Sequence, residues 1–134
     1  MRLLLDSHVF IWCKCAPKAL SDEARAMIID PDNQVFVSVA TAWELWIKHA
    51  KRPIKGLESV LDAGSQGFLD AAEESGIELF HVTLDHAAAA ASLPRIHRDP
   101  FDRMLIAQAI VHKLTLITSD SIFERYPGLD VRLM

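Results

Sequence analysis

Leu3-Leu4-Leu5-Asp6 opens the chain with a short apolar run that ends at an acid. A run of this length, closed by a polar residue, is typical of a strand buried on both faces. Comparable runs lie at residues 35–37, 77–82 and 114–118, with a possible last strand at 130–134. Strands buried on both faces are characteristic of parallel sheets, because connecting helices cover both sides. The pattern therefore predicts a central parallel sheet.

Segments with helical spacing lie between these strands, at residues 21–29, 40–51, 57–74, 84–93 and 100–113. Strands that alternate with helices predict parallel crossovers and the α/β class, with three layers in the order α/β/α. The breaks between the segments are short turns rich in Pro, Gly, Asp and Asn, and none is long enough to be a domain linker. Residues 1–134 are expected to form a single domain.

The composition excludes several functional classes. Fourteen Lys and Arg against eighteen Asp and Glu give a net charge of −4, so a polyanion must be held locally rather than by an overall positive potential. The apolar runs are far shorter than the ~20 residues that cross a bilayer, so no membrane association is expected. Asp6 also interrupts the N-terminal run before a signal-peptide core of ~7–15 residues could form.

Neither the cysteines nor the histidines indicate a metal site. Cys13 and Cys15 are two residues apart and would point to different faces of a helix, so reduced thiols and a cytoplasmic location are expected. The six histidines are scattered, and none lies at zinc-type spacing beside a cysteine pair.

Acids follow several of the predicted strands. Ligands of parallel sheets bind beyond the carboxyl ends of the strands, where Asp6 and Asp120 are placed. Ser38 follows the second strand, and Glu44 lies six residues later on the next helix. Each acid also has a structural interpretation: Asp6, Asp99 and Asp120 could cap helices, and Glu44 could belong to a capping box that starts at Thr41.

The acids are best explained together. Carboxylates ~4 Å apart at an effective dielectric of ~20 repel by up to ~4 kcal/mol per pair, which a small domain tolerates only with a counter-charge. A divalent cation would supply that charge. Oxygen ligands without cysteine favour Mg²⁺, or Mn²⁺, over zinc.

Four segments together resemble the PIN-domain ribonucleases, and most closely the VapC toxins of type II toxin–antitoxin systems. They span almost the whole chain and are Leu3-Leu4-Leu5-Asp6-Ser7-His8, Ser38-Val39-Ala40-Thr41-Ala42-Trp43-Glu44-Leu45, His97-Arg98-Asp99-Pro100-Phe101-Asp102-Arg103-Met104-Leu105-Ile106-Ala107-Gln108-Ala109 and Leu116-Ile117-Thr118-Ser119-Asp120. The long third segment is the most specific of them.

The resemblance implies a metal-dependent endoribonuclease that forms a dimer and is blocked by a cognate antitoxin protein. Its acidic quartet maps onto Asp6, Glu44, Asp102 and Asp120 as catalytic residues. We expect Asp6, Asp102 and Asp120 to bind Mg²⁺ directly. A second set, Asp99, Ser7 and Ser119, is expected to hold water molecules of the ion or to cap helices. RNA would be hydrolysed by a metal-activated water, without a serine or cysteine nucleophile.

Two further groups of residues are candidates for binding partners. Basic residues flank the acids, and among them Lys48, Arg98 and Arg103 are candidate RNA phosphate contacts, or else ordinary solvated helix ends. Trp43 and Trp46 make their helix apolar on more than one side. They are candidates for a groove that receives the antitoxin or a second copy of the chain, with core burial as the alternative.

Two other functions fit the sequence less well. A non-catalytic PIN-like module that binds RNA or protein would normally lack one of the four acids, and all four are present here. A phosphatase or receiver-like domain would need a lysine beside a nucleophilic aspartate near the end of the sheet, and none is suitably placed.

Overall fold

The computed structural model describes residues 1–134. Its elements alternate along the chain as the sequence predicts. In order they are β1 (Arg2–Leu5), α1 (Ser7–Cys15), α2 (Asp22–Ile29), β2 (Gln34–Ser38), α3 (Val39–Lys51), α4 (Glu58–Leu61), α5 (Gly64–Glu74), β3 (Ile77–Phe80), α6 (Leu84–Ser92), α7 (Pro100–His112), β4 (Thr115–Thr118) and β5 (Asp130–Leu133). Short 3₁₀ turns cover Pro17–Ala19 and Ser121–Arg125.

All five strands are parallel, in the order β3-β2-β1-β4-β5. The chain builds outward from β1 to one edge, then returns to the other side of β1 for β4 and β5. The strand order therefore reverses beside β1, and the loops after β1 and β4 leave the sheet in opposite directions. A crevice opens at such a reversal, beyond the carboxyl ends of the strands.

Two apolar layers cover the sheet, and alternation along β1 separates them. Leu3 and Leu5 point into a cluster with α1–α5, which includes Phe10 and Phe68. Leu4 points into the opposite cluster with α7, which is closed by residues after β4. The predicted α/β/α arrangement is confirmed. No helix is long and apolar enough to span a membrane.

One predicted helix is wrong. Residues 57–74 form two helices, α4 and α5, because the backbone turns at residues 62–63 and Gly64 has φ of +68°. That left-handed conformation interrupts an α-helix and is one that glycine adopts without steric cost. The other predicted elements differ from the observed ones only at their ends.

The end of α7 offers a test of backbone strain. Lys113 caps the helix at φ of +55°, the left-handed conformation that glycine usually occupies at this position. We expect Lys113→Gly to raise the free energy of unfolding by about 0.5–1 kcal/mol, as measured by urea denaturation. Lys113→Ala removes the same charge but keeps the strain, so equal stabilisation by both variants would contradict this explanation.

Candidate active site

Five carboxylates line a single cavity of about 280 Å³ at the reversal of the strand order. Its lining combines all four predicted catalytic acids with Asp99 and is otherwise mostly polar. The residues are Asp6, Ser7, His8, Trp12, Glu44, Lys48, Asp99, Asp102, Ser119, Asp120 and Phe123. The structure thus brings together acids that are up to 114 positions apart in the sequence.

Asp6 is held between β1 and the start of α1. One carboxylate oxygen, Oδ1, accepts the Ser7 N–H at 2.6 Å, and Oδ2 accepts the Thr118 hydroxyl at 2.7 Å. Asp6 is therefore both the cap of α1 and a member of the cavity. Burial raises its pKa, although these two hydrogen bonds oppose the rise. The raised pKa indicates a carboxylate whose environment does not fully compensate its charge.

Glu44 lies on α3 and is almost completely buried. Its Oε1 accepts the Ser7 hydroxyl at 2.5 Å, and its Oε2 pairs with Lys48 Nζ at 2.9 Å. The capping-box interpretation is wrong, because Ser38 caps α3 by accepting the Ala40 N–H. Ser7 consequently acts as a donor that fixes a cavity acid, as well as starting α1.

Asp102 stands in the first turn of α7 and has a different environment from the other acids. Its half-buried carboxylate forms no hydrogen bond or ion pair with any protein group. Burial raises its pKa to about 7, and the charges of Asp99, Asp6, Glu44 and Asp120 add to the rise. An acid with this pKa is only partly ionised at neutral pH, and a bound cation would favour its ionised form.

The two remaining acids are helix caps that also border the cavity. Asp99 accepts the Phe101 N–H at 2.8 Å and caps α7. Asp120 accepts the Ile122 N–H at 2.9 Å through Oδ1 and caps the 3₁₀ turn, which leaves its Oδ2 free of backbone bonds. The capping interpretation is thus correct for both, and it does not exclude a place in the site.

Lys48 is the one lysine or arginine that lines the cavity, and it cannot balance five acids alone. Partial burial acts to lower its pKa, but the hydrogen bond with Glu44 and the charges of Glu44, Asp99 and Asp102 outweigh burial and raise it. Lys48 is therefore held in its charged form beside Glu44, and its side chain stays half-exposed at the edge of the cavity. The net charge around Asp102 remains negative.

The donor set fits a hard divalent cation. The cavity offers carboxylate and hydroxyl oxygens and no sulfur. No three acidic, histidine or cysteine side chains are already arranged as metal ligands. Mg²⁺ usually retains several waters and binds through only one or two carboxylates, so such an arrangement is not required. The assignment of Asp6, Asp102 and Asp120 as metal ligands stays a prediction.

The candidate RNA contacts differ in whether their side chains are free to bind RNA. Arg98 is exposed and makes no bond within the chain, so it is free to bind a phosphate. Arg103 is a correction: its guanidinium donates to four backbone carbonyls, those of Ala90, Leu93, Pro94 and His97, at 2.7–3.3 Å. These hydrogen bonds hold the loop between α6 and α7 in place, and they leave Arg103 few donors for RNA.

The two candidate groove tryptophans also differ, because one is exposed and the other packs against the core. Trp43 is 62% exposed and packs edge-on against Phe101, 5.3 Å between ring centroids. Trp46 packs against the core beside Phe68 and donates its indole N–H to the Leu61 carbonyl at 3.1 Å. A shared groove was therefore the wrong expectation for Trp46, and core packing describes it correctly.

Thr118 is the functional residue that the sequence interpretation missed. Its hydroxyl donates to Asp6 and accepts the Asp120 N–H at 3.1 Å, so one side chain links two cavity acids. Ser119, the expected donor, is exposed at the cavity edge and makes no hydrogen bond. The available signal was a threonine at the end of β4, two residues before Asp120.

Comparisons with known proteins show the family of the chain. The PIN domain family matches residues 3–129. Ribonuclease VapC22 of Mycobacterium tuberculosis is 32% identical over 120 residues, which are 88% of this chain and 86% of that protein.

Solved structures show the same fold at lower identity. VapBC2 from Rickettsia felis, bound to a DNA fragment from its promoter, aligns with a TM-score of 0.70 at 17% identity, covering 99% of this chain and 98% of that one. VapBC-5 from Mycobacterium tuberculosis, a member of the VapBC family of toxin–antitoxin systems, aligns with a TM-score of 0.61 at 23% identity, with the same coverage. The family match and the identity to VapC22 show that the chain is a VapC-like member of the PIN domain family.

Proposed function

We propose that the protein is an Mg²⁺-dependent endoribonuclease, and that it is the toxin of a type II toxin–antitoxin system acting in the cytoplasm. The observation that carries the proposal is Asp102: a half-buried carboxylate with no protein partner, surrounded by four other acids. A helix cap would not need that environment. A site for a divalent cation would need it, because the cation replaces the missing counter-charge.

The roles of the residues follow from their contacts. Asp102, Asp6 and Asp120 would hold the ion or its waters, and Glu44 would be held in place by Ser7 and Lys48. When bound, the ion would polarise the phosphoryl oxygens and lower the pKa of the attacking water. Mn²⁺ would satisfy the same oxygen donors. No nucleophilic side chain is required.

RNA would be held beside the cavity by local positive charge. Lys48 lies at the cavity edge, and Arg98 directly precedes the cavity residue Asp99 on the loop before α7. Contacts of this kind position a phosphate backbone without reading its sequence. They offset the net charge of −4 only where RNA passes.

RNA cleavage with and without Mg²⁺ tests the proposal directly. A labelled single-stranded RNA should be cut by the purified protein with Mg²⁺ and left intact with EDTA. Cleavage in EDTA would contradict the metal dependence. Binding of RNA without cleavage under either condition would favour the non-catalytic PIN-like module instead.

The surface around Trp43 supports a protein partner. An apolar groove of about 410 Å³ lies beside the acidic cavity, between α3 and the start of α7. Trp43, Val82 and Phe101 line it, and Trp43 and Val82 are exposed. Exposed aromatic surface of this kind is typical of protein interfaces. We assign it to the antitoxin, which would thereby reach the cavity, and we propose that the toxin itself is a homodimer.

Substitution of the two tryptophans separates interface from core. Trp43→Ala should weaken binding of the cognate antitoxin by more than about 1 kcal/mol, because truncation of an interface aromatic commonly costs that much. Its melting temperature should change little. Trp46→Ala should instead lower stability by about 3 kcal/mol, as loss of a large packed side chain does. Calorimetric titration and thermal melts measure the two effects, and the reverse ranking would contradict the assignment.

A further inference from the structure

His97 lies behind Asp120, on the loop that Arg103 fastens. Its side chain is only 9% exposed and lies between the rings of Phe123 and Tyr126, with centroids at 4.7 and 5.4 Å. Its Nε2 is buried, has no hydrogen-bond partner and lies 3.7 Å from Asp120 Oδ2. A buried polar atom without a partner carries a free-energy cost, so its direction calls for an explanation.

The hydroxyl of Tyr126 determines which nitrogen of His97 carries the proton. That hydroxyl accepts the backbone N–H of His97 at 2.8 Å and lies 2.8 Å from Nδ1. Tyr126 is buried, and Nδ1 is the one acceptor in reach of its proton. Tyr126 therefore donates to Nδ1, which leaves the hydrogen on Nε2. The neutral ring thus presents an N–H donor to Asp120.

Asp120 has a carboxylate oxygen that can accept the hydrogen bond from His97. Its Oδ1 is occupied by the Ile122 N–H, whereas Oδ2 has no other donor. A movement of about 1 Å would bring Oδ2 within normal hydrogen-bond distance of Nε2. The backbone of His97 is anchored by Arg103 and Tyr126, so the carboxylate is the part that moves.

We propose that His97 is the positioning residue for Asp120: the Nε2–H that Tyr126 fixes orients the Asp120 carboxylate toward a divalent ion in the cavity. This inference rests on the proposed metal site. In many metal sites the group that hydrogen-bonds to a ligand sets its orientation, and its loss costs about 10–100-fold in affinity.

Manganese affinity, measured by calorimetric titration of the purified chain with Mn²⁺, tests the proposal. We expect His97→Leu to weaken the affinity about 10-fold. His97→Gln should recover most of that loss, because its amide nitrogen reaches about as far as Nε2. His97→Asn should not, because its amide reaches only as far as Nδ1. Tyr126→Phe should weaken Mn²⁺ binding less than His97→Leu. It removes the hydroxyl that fixes the proton on Nε2, but the imidazole ring of His97 remains.

The outcomes distinguish this proposal from the proposed function. If the wild-type protein does not bind Mn²⁺, the metal site itself is overturned, and this role with it. If wild type binds, Asp102→Asn does not, and His97→Leu binds like wild type, only the role of His97 is overturned. Should His97→Leu fail to fold, equal affinities for the Gln and Asn variants would overturn it. A lower melting temperature in EDTA with unchanged Mn²⁺ affinity would show a purely structural role.

Discussion

Asp102→Asn is expected to lower the rate of Mg²⁺-dependent RNA cleavage by at least about 100-fold, while the protein stays folded. Single electrostatic groups at active sites contribute on this scale. Asparagine has the size of aspartate but lacks its charge, and Asp102 makes no bond within the chain that the substitution would break. The measurement is the rate of cleavage of a labelled RNA at saturating Mg²⁺, with a circular dichroism spectrum to confirm folding.

Two other aspartates serve as references. Asp99→Asn keeps the cap of α7, since asparagine is an equally good N-cap, and should have a milder effect. Asp85→Asn, in the exposed first turn of α6, should leave the rate unchanged. Near wild-type activity of Asp102→Asn, or a dead Asp99→Asn beside an active Asp102→Asn, would show that the acids are assigned wrongly.

Asp6→Asn should be equally inactive, but its loss of activity would have more than one cause. Asp6 accepts the Thr118 hydroxyl, and Thr118 in turn accepts the Asp120 N–H. An amide nitrogen facing Thr118 would leave the threonine hydroxyl proton without an acceptor, so the variant disturbs two acids at once. Asp102 is therefore the better position for separating charge from structure.

The parallel sheet and the edge that carries the acids could be predicted from sequence, because both follow from local pattern. Short apolar runs specify buried strands, and an acid directly after such a run is placed at the carboxyl edge. Asp6 and Asp120 satisfy this rule, and both also cap the element that follows. Capping a helix and lining the site need not be alternatives, because one carboxylate has two oxygens and serves both purposes.

The side chains assigned wrongly are those whose partners lie on other elements. Arg103 looks like a free cation in the sequence, yet its four acceptors are carbonyls of the preceding loop, whose path no local pattern specifies. Trp46 and Trp43 lie three residues apart on one helix. Which of them meets the core depends on where α4 and α5 pack, and that depends in turn on the break at Gly64.

The second large effect expected of Asp102→Asn is on the stability of the metal-free protein. Burial and the neighbouring acids raise the pKa of Asp102 to about 7 in the folded protein, from an ordinary value of 3.8. A group whose pKa rises on folding stabilises the fold at low pH, and that contribution is lost as the pH passes through the folded value. In EDTA, wild type should therefore lose stability relative to Asp102→Asn between pH 5 and pH 8. At pH 8 we expect the variant to be more stable by about 1 kcal/mol, the scale of one close like-charge pair in water.

Mg²⁺ should reverse this ranking at pH 8. A ligand at about 100 times its Kd stabilises the protein that binds it by about 2.7 kcal/mol, and the variant, which has lost a ligand charge, gains less. Thermal melts of both proteins, with EDTA and with saturating Mg²⁺ at each pH, measure the effect, with Asp85→Asn as the control for a loss of charge elsewhere. If the carboxylates were only helix caps, the difference between wild type and Asp102→Asn would not respond to Mg²⁺. That result would remove the physical basis of the nuclease proposal, because the repulsion among these acids would then have no ion to relieve it.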